Sequence, residues 1–272
     1  MIVIGICTRK RPKMLAALLE SLAQMQPLLD DKVTCIVVEN GPPDGAQAIV
    51  QVFADRLNIS WFNEPKVGLV HARNAVIERF LETDGGWLGF VDDDETVAPD
   101  WLVEMARAQA NFLDAAAFIG PKQFIFTKQP PQVISAIRQP ALKHGQLMRF
   151  GGTANAMVAR SVFDVAGYGL RFDPVFNLCG GEDGDLFIRL GDRGGVVRFV
   201  GSAIVYETQP AERSTLGYRM RRWRHHAHNA GQSIIYRRGQ VYGRLIIMGR
   251  IIRSFTRAIS YMAFGLVALV FF

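Results

Sequence analysis

The sequence predicts an α/β protein with a mostly parallel sheet flanked by helices, followed by a basic helical tail. Short apolar runs rich in β-branched residues alternate with segments of helical periodicity, which is the pattern of successive βαβ units. Polar clusters directly follow several of these runs and therefore stand at predicted strand ends. The last 60 residues contain no acidic side chain, which sets them apart in composition from the rest of the chain.

The first part of the chain shows this alternation most clearly. Its four predicted strands are 2–7, 33–38, 59–62 and 87–91. The helices predicted between them, from apolar residues three and four positions apart, are 12–25, 46–57 and 70–83. A helix between two strands carries the chain back to the starting edge of the sheet, so these strands are predicted to be parallel.

After residue 99 the pattern is less regular. The elements predicted there are a helix over 101–113 and strands over 118–126, 154–159 and 196–206. The segment 127–147 has poor periodicity and contains three prolines, which predicts an irregular loop or flap. From Ser214 onward the sequence predicts basic helices.

An acidic triplet, Asp92-Asp93-Asp94, directly follows the predicted strand 87–91. Three adjacent carboxylates repel one another, so the cluster costs stability unless a cation neutralises it. Carboxylate oxygens suit Mg²⁺ or Mn²⁺, and such an ion can in turn bind a diphosphate. The alternative is a solvated acidic turn that caps the next helix. The position at the end of a strand favours the metal site.

Two further polar clusters are expected near the triplet. Thr8 to Arg11 follows the first predicted strand, and Glu39-Asn40 follows the second. Because ligands bind at the carboxyl ends of strands in parallel sheets, the three clusters are predicted to converge on one site. Arg73 lies in the first turns of a predicted helix and is a candidate phosphate ligand, although such an arginine is more often a surface residue.

A second acidic cluster, Glu182-Asp183, is flanked by glycines and precedes the helical run 186–190. A carboxylate in this position is a candidate general base. The alternative is an N-cap with acidic residues in the first turn, which accounts for at least one of these carboxylates on structural grounds alone.

The order and spacing of these clusters closely resemble the inverting GT-A glycosyltransferases of family 2, over roughly residues 1–210. The motifs that carry the resemblance are Thr8-Arg9-Lys10-Arg11-Pro12, Glu39-Asn40-Gly41, Gly68-x-x-x-Ala72-Arg73-Asn74, Asp92-Asp93-Asp94, Gly152-Thr153-Ala154-Asn155 and Glu182-Asp183. The stretch 206–214 and Arg222-Trp223-Arg224 resemble the branch that builds bacterial exopolysaccharides, the succinoglycan-type transferases.

The resemblance implies that the chain takes a sugar from a nucleotide-sugar donor, a UDP-sugar. The residues it places around the nucleotide and diphosphate are Thr8, Arg9, Arg11, Glu39, Asn40, Arg73, Asp92 and Asp93. It implies that Asp94, together with Asp92, holds Mn²⁺ or Mg²⁺, and that Asp183 is the catalytic base with Glu182 as its neighbour. The residues assigned to the acceptor side are Gly152, Thr153, Asn155, Arg222 and Trp223.

The chain departs from the family pattern at three places. Glu39 stands where the family commonly has Asp, and it could also accept a hydrogen bond from the base. Glu207 stands near the position of a late histidine ligand, which leaves that ligand open. The stretch 220–223 lacks the Gln of the Gln-x-x-Arg-Trp motif of processive relatives, so we expect transfer of a single sugar.

Two other functions explain parts of the pattern. A sugar nucleotidyltransferase would need a glycine-rich, lysine-containing loop after the first strand, and 8–12 contains no glycine. A non-catalytic nucleic-acid-binding protein would use the arginine tail but leave both acidic clusters unexplained, since carboxylates repel phosphate. We therefore expect no nucleic-acid partner and a catalytic domain over 1–212, with a donor-binding half (1–98) and an acceptor-side half (99–212).

The tail 213–272 has 11 arginines and no acid, against 20 basic and 25 acidic residues in the first 212. Its arginines alternate with apolar residues, which predicts an amphipathic helix on an anionic membrane surface. The uncharged residues 258–272 are fewer than the roughly 20 that a full span needs, and a buried core helix is the alternative. We expect a protein at the cytoplasmic face of a membrane, acting on a lipid-linked oligosaccharide or a polysaccharide.

Overall fold

A computed structural model describes residues 1–28, 32–131, 142–149, 151–177 and 180–271. The strands within them are β1 (Ile2–Thr8), β2 (Val33–Asn40), β3 (Ile59–Glu64), β4 (Trp87–Val91), β5 (Glu95–Val97), β6 (Ala115–Ile119), β7 (Lys122–Phe126), β8 (Asn155–Ala159), β9 (Val196–Phe199) and β10 (Val205–Gln209). The helices are α1 (Pro12–Ala23), α2 (Ala46–Phe53), α3 (Leu69–Leu81), α4 (Trp101–Asn111), α5 (Arg160–Phe163), α6 (Glu182–Asp192), α7 (Leu216–Arg238) and α8 (Gln240–Phe271). Short 3₁₀ turns cover Pro174–Asn177 and Ala211–Ser214.

The main sheet has seven strands in the order β3-β2-β1-β4-β8-β6-β9. The neighbours β3, β2, β1 and β4 are parallel, as are β6 and β9. Strand β8 runs antiparallel to both of its neighbours. This sheet confirms the predicted α/β class and the predicted parallel order of the first four strands.

Alternate side chains of β1 enter the two layers of the core. Ile4 and Ile6 pack with the α1 face that contains Leu15 and Leu19, whereas Val3 belongs to the cluster on the α3 side. Because both faces of the strand are covered, its sequence is a continuous apolar run rather than an alternating one. A side chain on Gly5 would come within 2.3 Å of Val76, so α3 can approach the sheet closely.

A second, three-stranded sheet follows the acidic triplet. Its order is β5-β10-β7, with β10 antiparallel to β5 and parallel to β7. Strand β5 begins at Glu95, the residue after Asp94. The chain therefore passes directly from the carboxyl end of β4 into this small sheet.

Two of the predicted strands are each divided in the structure. The predicted strand 118–126 is the end of β6 followed by β7, because Pro121 lacks an N–H and a Cβ on Gly120 would lie 2.2 Å from the Ala203 carbonyl. The predicted strand 196–206 is β9 followed by the start of β10. Residues 132–141 of the predicted loop 127–147 lie outside the described residues.

The contacts divide the chain into two compact units, Met1–Arg219 and Met220–Phe272. The first unit contains the predicted catalytic domain 1–212 and ends in the first turn of α7. The second unit consists of the rest of α7 and of α8, so the predicted basic helices are present. Helices α7 and α8 are joined at Gly239, whose positive φ of 77° suits a glycine at a tight turn. Among the described residues, we find no helix with enough length and apolar character to cross a membrane.

Candidate active site

Asp93 joins the ends of β1 and β4. Its carboxylate accepts a hydrogen bond from the Thr8 hydroxyl and another from the Arg11 guanidinium, each 2.8 Å long. Asp93 is 4% exposed, and burial raises the pKa of its carboxyl even though both donors oppose the shift. Thr8 and Asp93 are thus both buried, and the structure gives this pair a positioning role between two strand ends.

Asp92 and Asp94 have more accessible carboxylates, with side chains 37% and 17% exposed. The Asp94 carboxylate lies 3.2 Å from the guanidinium of Arg11 and 3.9 Å from that of Arg213. Two accessible carboxylates at one strand end are a suitable donor set for Mg²⁺ or Mn²⁺. The described residues contain no group of three or more His, Cys, Asp or Glu side chains placed to hold a metal. A divalent ion at Asp92 and Asp94 would therefore need further oxygen ligands from a diphosphate and water, as is common for Mg²⁺.

The buried guanidinium of Arg73 connects the triplet with the second acidic cluster. It forms an ion pair with Glu182, lies 3.5 Å from Asp92 and stacks on the ring of Phe172. Burial opposes its charge, but Asp92, Glu182 and Asp183 more than compensate and raise the pKa of Arg73 above its usual value. The two acidic clusters, which are far apart in the sequence, therefore lie at one site.

Asp183 and Glu182 are neighbours in the first turn of α6 but differ in accessibility. Glu182 is 6% exposed and is paired with Arg73, and burial raises its pKa although Arg73 opposes this. Asp183 is half-buried, and its Oδ1 accepts the backbone N–H of Gly184 at 2.7 Å. A Cβ on Gly152 would lie 3.2 Å from the other carboxylate oxygen of Asp183. Asp183 is the more accessible carboxylate, with the Gly152 backbone beside it.

A buried charge cluster in the small sheet was not predicted. The Lys122 ammonium lies 2.5 Å from Glu95 and 2.8 Å from Glu207, so one lysine on β7 links β5 and β10. Burial, with a smaller contribution from Asp92, raises the pKa of Glu95 to about 8 although Lys122 opposes the shift. Glu207 also pairs with Arg213 at 3.3 Å. The cluster thus places Arg213 between Glu207 and Asp94.

Glu39 and Asn40 organise the turns after β2 and are mostly bonded within the protein. The fully buried Glu39 carboxylate accepts the backbone N–H groups of Asp44 (2.6 Å) and Ala46 (3.2 Å) and the indole N–H of Trp61 (2.9 Å). Despite burial, these donors lower the pKa of Glu39. These bonds give Glu39 a structural role at the start of α2, and its predicted contact with the nucleotide base stays a prediction. Asn40 accepts the Gly68 N–H at 2.7 Å and so positions the start of α3.

Asn155, which was predicted to lie on the acceptor side, is hydrogen-bonded within the protein. Its side-chain oxygen accepts the indole N–H of Trp101 at 2.8 Å, and its amide donates to the carbonyls of Pro121 (2.9 Å) and Ala203 (2.8 Å). These hydrogen bonds join the start of β8 to Trp101, Pro121 and Ala203. Asn155 is 3% exposed and offers no surface to an acceptor. Thr153 is also buried, at 1% exposure, whereas the Gly152 backbone borders Asp183.

Three predicted site residues are exposed. Arg9 lies in the turn after β1, near Gly41. Arg222 and Trp223 lie on α7 in the second unit, where Trp223 is 45% exposed. The assignment of Arg9 to the donor side, and of Arg222 and Trp223 to the acceptor side, stays a prediction.

The sequence has recognisable relatives. Residues 3–166 match the model of glycosyl transferase family 2. The succinoglycan biosynthesis protein ExoM of Rhizobium meliloti (strain 1021) is 31% identical over 249 residues, which cover 89% of this chain and 74% of ExoM.

Solved structures resemble the fold. S. aureus TarS 1-349 in complex with UDP-GlcNAc superposes with a TM-score of 0.61 and 14% identity, covering 76% of this chain and 58% of TarS 1-349. The mannosyltransferase PcManGT from Pyrobaculum calidifontis, in complex with GDP-Man and Mn²⁺, gives a TM-score of 0.62 at 18% identity, covering 86% of this chain and 63% of PcManGT. This chain therefore spans less than two thirds of either solved protein.

The sheet topology, the convergent strand ends and the sequence match all indicate the same fold and family. The largely parallel sheet with helices on both faces is that of GT-A glycosyltransferases, and the two acidic clusters lie together at one site of it. The family match covers more than half of the chain and favours a glycosyltransferase over the alternatives. We conclude that the chain belongs to glycosyl transferase family 2 and has the GT-A fold.

Proposed function

We propose that this chain transfers a single sugar, with inversion and with the help of a divalent metal, from a UDP-sugar to a hydroxyl group of its acceptor. The observation that carries the proposal is the position of Arg73, which touches both Asp92 and Glu182. A donor diphosphate near the triplet and an acceptor hydroxyl near Asp183 would thereby be close neighbours. TarS and PcManGT, which share the fold, are complexed with UDP-GlcNAc and with GDP-Man and Mn²⁺.

On the donor side, Asp92 and Asp94 would hold Mg²⁺ or Mn²⁺. When bound, the ion would offset negative charge on the diphosphate as it leaves. Arg11 already lies 3.2 Å from Asp94, and Arg213 lies at 3.9 Å, so both guanidinium groups are near the region where that charge develops. Arg73 adds a buried positive charge, and its contacts with Glu182 and Phe172 fix the orientation of the guanidinium.

On the acceptor side, Asp183 would take the proton of the attacking hydroxyl. The acceptor oxygen then forms a bond to the anomeric carbon while the bond from that carbon to the diphosphate oxygen breaks. The nucleoside diphosphate departs with the bonding electron pair, and the proton stays on Asp183. A single displacement inverts the anomeric configuration, so the protein needs no nucleophile of its own.

The name of the relative ExoM and the composition of the tail support the acceptor that we propose. ExoM is named for succinoglycan biosynthesis, which supports an exopolysaccharide or a lipid-linked oligosaccharide as the acceptor. The tail from residue 213 has 11 arginines and no acid, which suits attraction to an anionic leaflet. We therefore propose that transfer takes place at the cytoplasmic face of a membrane.

The test is release of nucleoside diphosphate from a panel of nucleotide sugars, with a membrane lipid extract as the source of acceptor. We expect a UDP-sugar to give the highest acceptor-dependent rate, and Asp183→Asn to lower turnover by about 10²–10⁴-fold with donor affinity nearly unchanged. Asp192→Asn, at the far end of the same helix, is the matched control. If Asp183→Asn keeps near-normal transfer while Glu182→Gln is inactive, the base is Glu182; if both keep transfer, the mechanism is wrong.

A further inference from the structure

Helices α7 and α8 of the second unit leave an open groove between them. The residues of α7 that line it include Ala227, Ala230 and Gly231, and those of α8 include Ile247, Arg250 and Ile251. Both sets have the spacing i, i+3, i+4, which places each on a single helix face. The groove has a volume of about 540 Å³, within the roughly 300–1,000 Å³ of pockets that bind small molecules.

The groove exists because small residues stand opposite large ones. The two helix backbones approach closely at Gly243, where an added Cβ would lie 2.7 Å from the Cα of Ile235. Further along the pair, the two alanines and Gly231 of α7 are too small to fill the space facing Ile247 and Ile251. Ile251, which lines the groove, is 62% exposed. The groove therefore offers an apolar lining that a ligand could cover.

The charge of the second unit restricts the occupant. Residues 220–272 contain nine arginines and no lysine or acidic residue, and Arg250 is the charged residue of the groove lining. A second copy of the chain would bring two such positive surfaces together, which electrostatic repulsion disfavours. A nucleic acid would match the charge but leave the apolar lining uncovered. A molecule with a hydrocarbon body and an anionic head satisfies both features.

We propose that this groove binds the hydrocarbon chain of a phosphate-headed lipid, with the Arg250 guanidinium holding the phosphate. A guanidinium binds phosphate oxygens through charge-assisted hydrogen bonds, and the aliphatic lining covers the chain. This inference goes beyond the proposed transfer reaction, since a bound lipid would attach the second unit to a membrane whatever sugar the first unit transfers.

The test is saturable binding of radiolabelled hexadecyl phosphate to the full chain in phosphatidylcholine nanodiscs. We expect one molecule per chain. Arg250→Gln, which removes the charge of the groove, should weaken binding about tenfold, since a hydrogen bond to a charged group contributes on that scale. Ala230→Leu, which fills the groove, should also weaken binding about tenfold, because displacing about two CH₂ groups of the hydrocarbon chain loses a similar free energy. The matched controls Gln232→Leu and Arg244→Gln change the same helices outside the lining and should alter binding less than about twofold.

Two results would overturn the proposal. Equal weakening by Arg244→Gln and Arg250→Gln would show a general attraction to the positive surface. Equal binding of hexadecanol and hexadecyl phosphate would remove the role of Arg250. Circular dichroism of each variant checks that the helices remain, and if Ala230→Leu loses them, the two arginine variants still decide. UDP binding by the same variants should be unchanged, so failure here is distinguishable from failure of the transferase proposal.

Discussion

Glu39→Gln separates a structural role of this residue from a role in binding the nucleotide. The family pattern places a base-binding carboxylate at this position, whereas the structure buries Glu39 completely and surrounds it with protein donors. Gln keeps the shape of the side chain but replaces one of the two oxygens with an NH₂ group. In either orientation of the amide, its NH₂ group faces at least one N–H donor that a carboxylate oxygen of Glu39 accepted before.

The loss of stability caused by Glu39→Gln can be worked out from the three hydrogen bonds that the Glu39 carboxylate accepts. The least unfavourable orientation keeps the amide oxygen toward the N–H groups of Asp44 and Ala46 and turns the NH₂ toward the indole of Trp61. One hydrogen bond to a charged acceptor is then lost and a buried donor is left unpaired. The free energy of unfolding should fall by about 2–3 kcal/mol, which lowers the melting temperature by about 4–12 °C for a domain of this size.

The assay is thermal unfolding together with calorimetric titration of UDP in the presence of Mn²⁺. Glu64→Gln is the control, because Glu64 is also bonded to a backbone N–H, that of Lys66, but in an exposed setting. We expect its effect on the free energy of unfolding to be below about 0.5 kcal/mol, and UDP affinity to change less than about threefold in both variants. A tenfold loss of UDP affinity with an unchanged melting temperature in Glu39→Gln would refute the structural role.

The same substitution has a pH signature. The lowered pKa of Glu39 means that its ionised form stabilises the fold at pH values above the ordinary glutamate value of 4.5. That contribution is lost as the pH falls from there through the lowered pKa. The difference in unfolding free energy between the wild type and Glu39→Gln should therefore narrow below about pH 4.5, which denaturant titrations at several pH values can measure.

Four further predictions concern the site and the tail. Asp94→Asn should reduce UDP affinity with Mn²⁺ to the level measured in EDTA; equal calorimetric affinity in wild type with and without EDTA would exclude the metal role. Gly152→Ala should press a methyl group on Asp183 and lower turnover about 10–100-fold without changing the melting temperature. Asn155→Ala should lower the free energy of unfolding by about 3 kcal/mol through three lost hydrogen bonds, with an unchanged KM for acceptor. The chain should sediment with anionic vesicles more than with neutral ones and less at high salt.

The main elements of the fold were predictable because each buried strand has a distinctive apolar run. Strand β4 was predicted with its observed bounds, and the strands before it were correct to within two residues at their ends. The division of 118–126 into β6 and β7 was missed although Gly120-Pro121 is a turn signal in the sequence. The closeness of Gly120 to the Ala203 carbonyl, by contrast, depends on a distant segment. Sequence periodicity describes one segment at a time, whereas a contact of this kind joins two segments that are far apart in the chain.

The candidate site shows the same limit at the level of single side chains. Spacing along the chain correctly indicated that the ends of β1, β2 and β4 would converge, because that follows from a parallel order. It could not indicate that Asn155 and Glu39 point into the protein, since a polar residue at a strand end can face either the solvent or a neighbouring turn. The direction is set by donors such as Trp61 and Trp101, which lie far away in the sequence.

The cluster of Lys122 with Glu95 and Glu207 could not be predicted from the sequence for a further reason. Glu95 stands opposite Glu207 because β5 and β10 pair antiparallel, and Lys122 reaches both because β7 lies on the other side of β10. Two neighbouring carboxylates repel each other strongly where water is excluded, and the Lys122 ammonium, which contacts both, offsets that repulsion. That shared lysine leaves Glu207 able to bind Arg213 as well. The small sheet therefore does more than extend the fold, because its charges fix a second arginine beside Asp94.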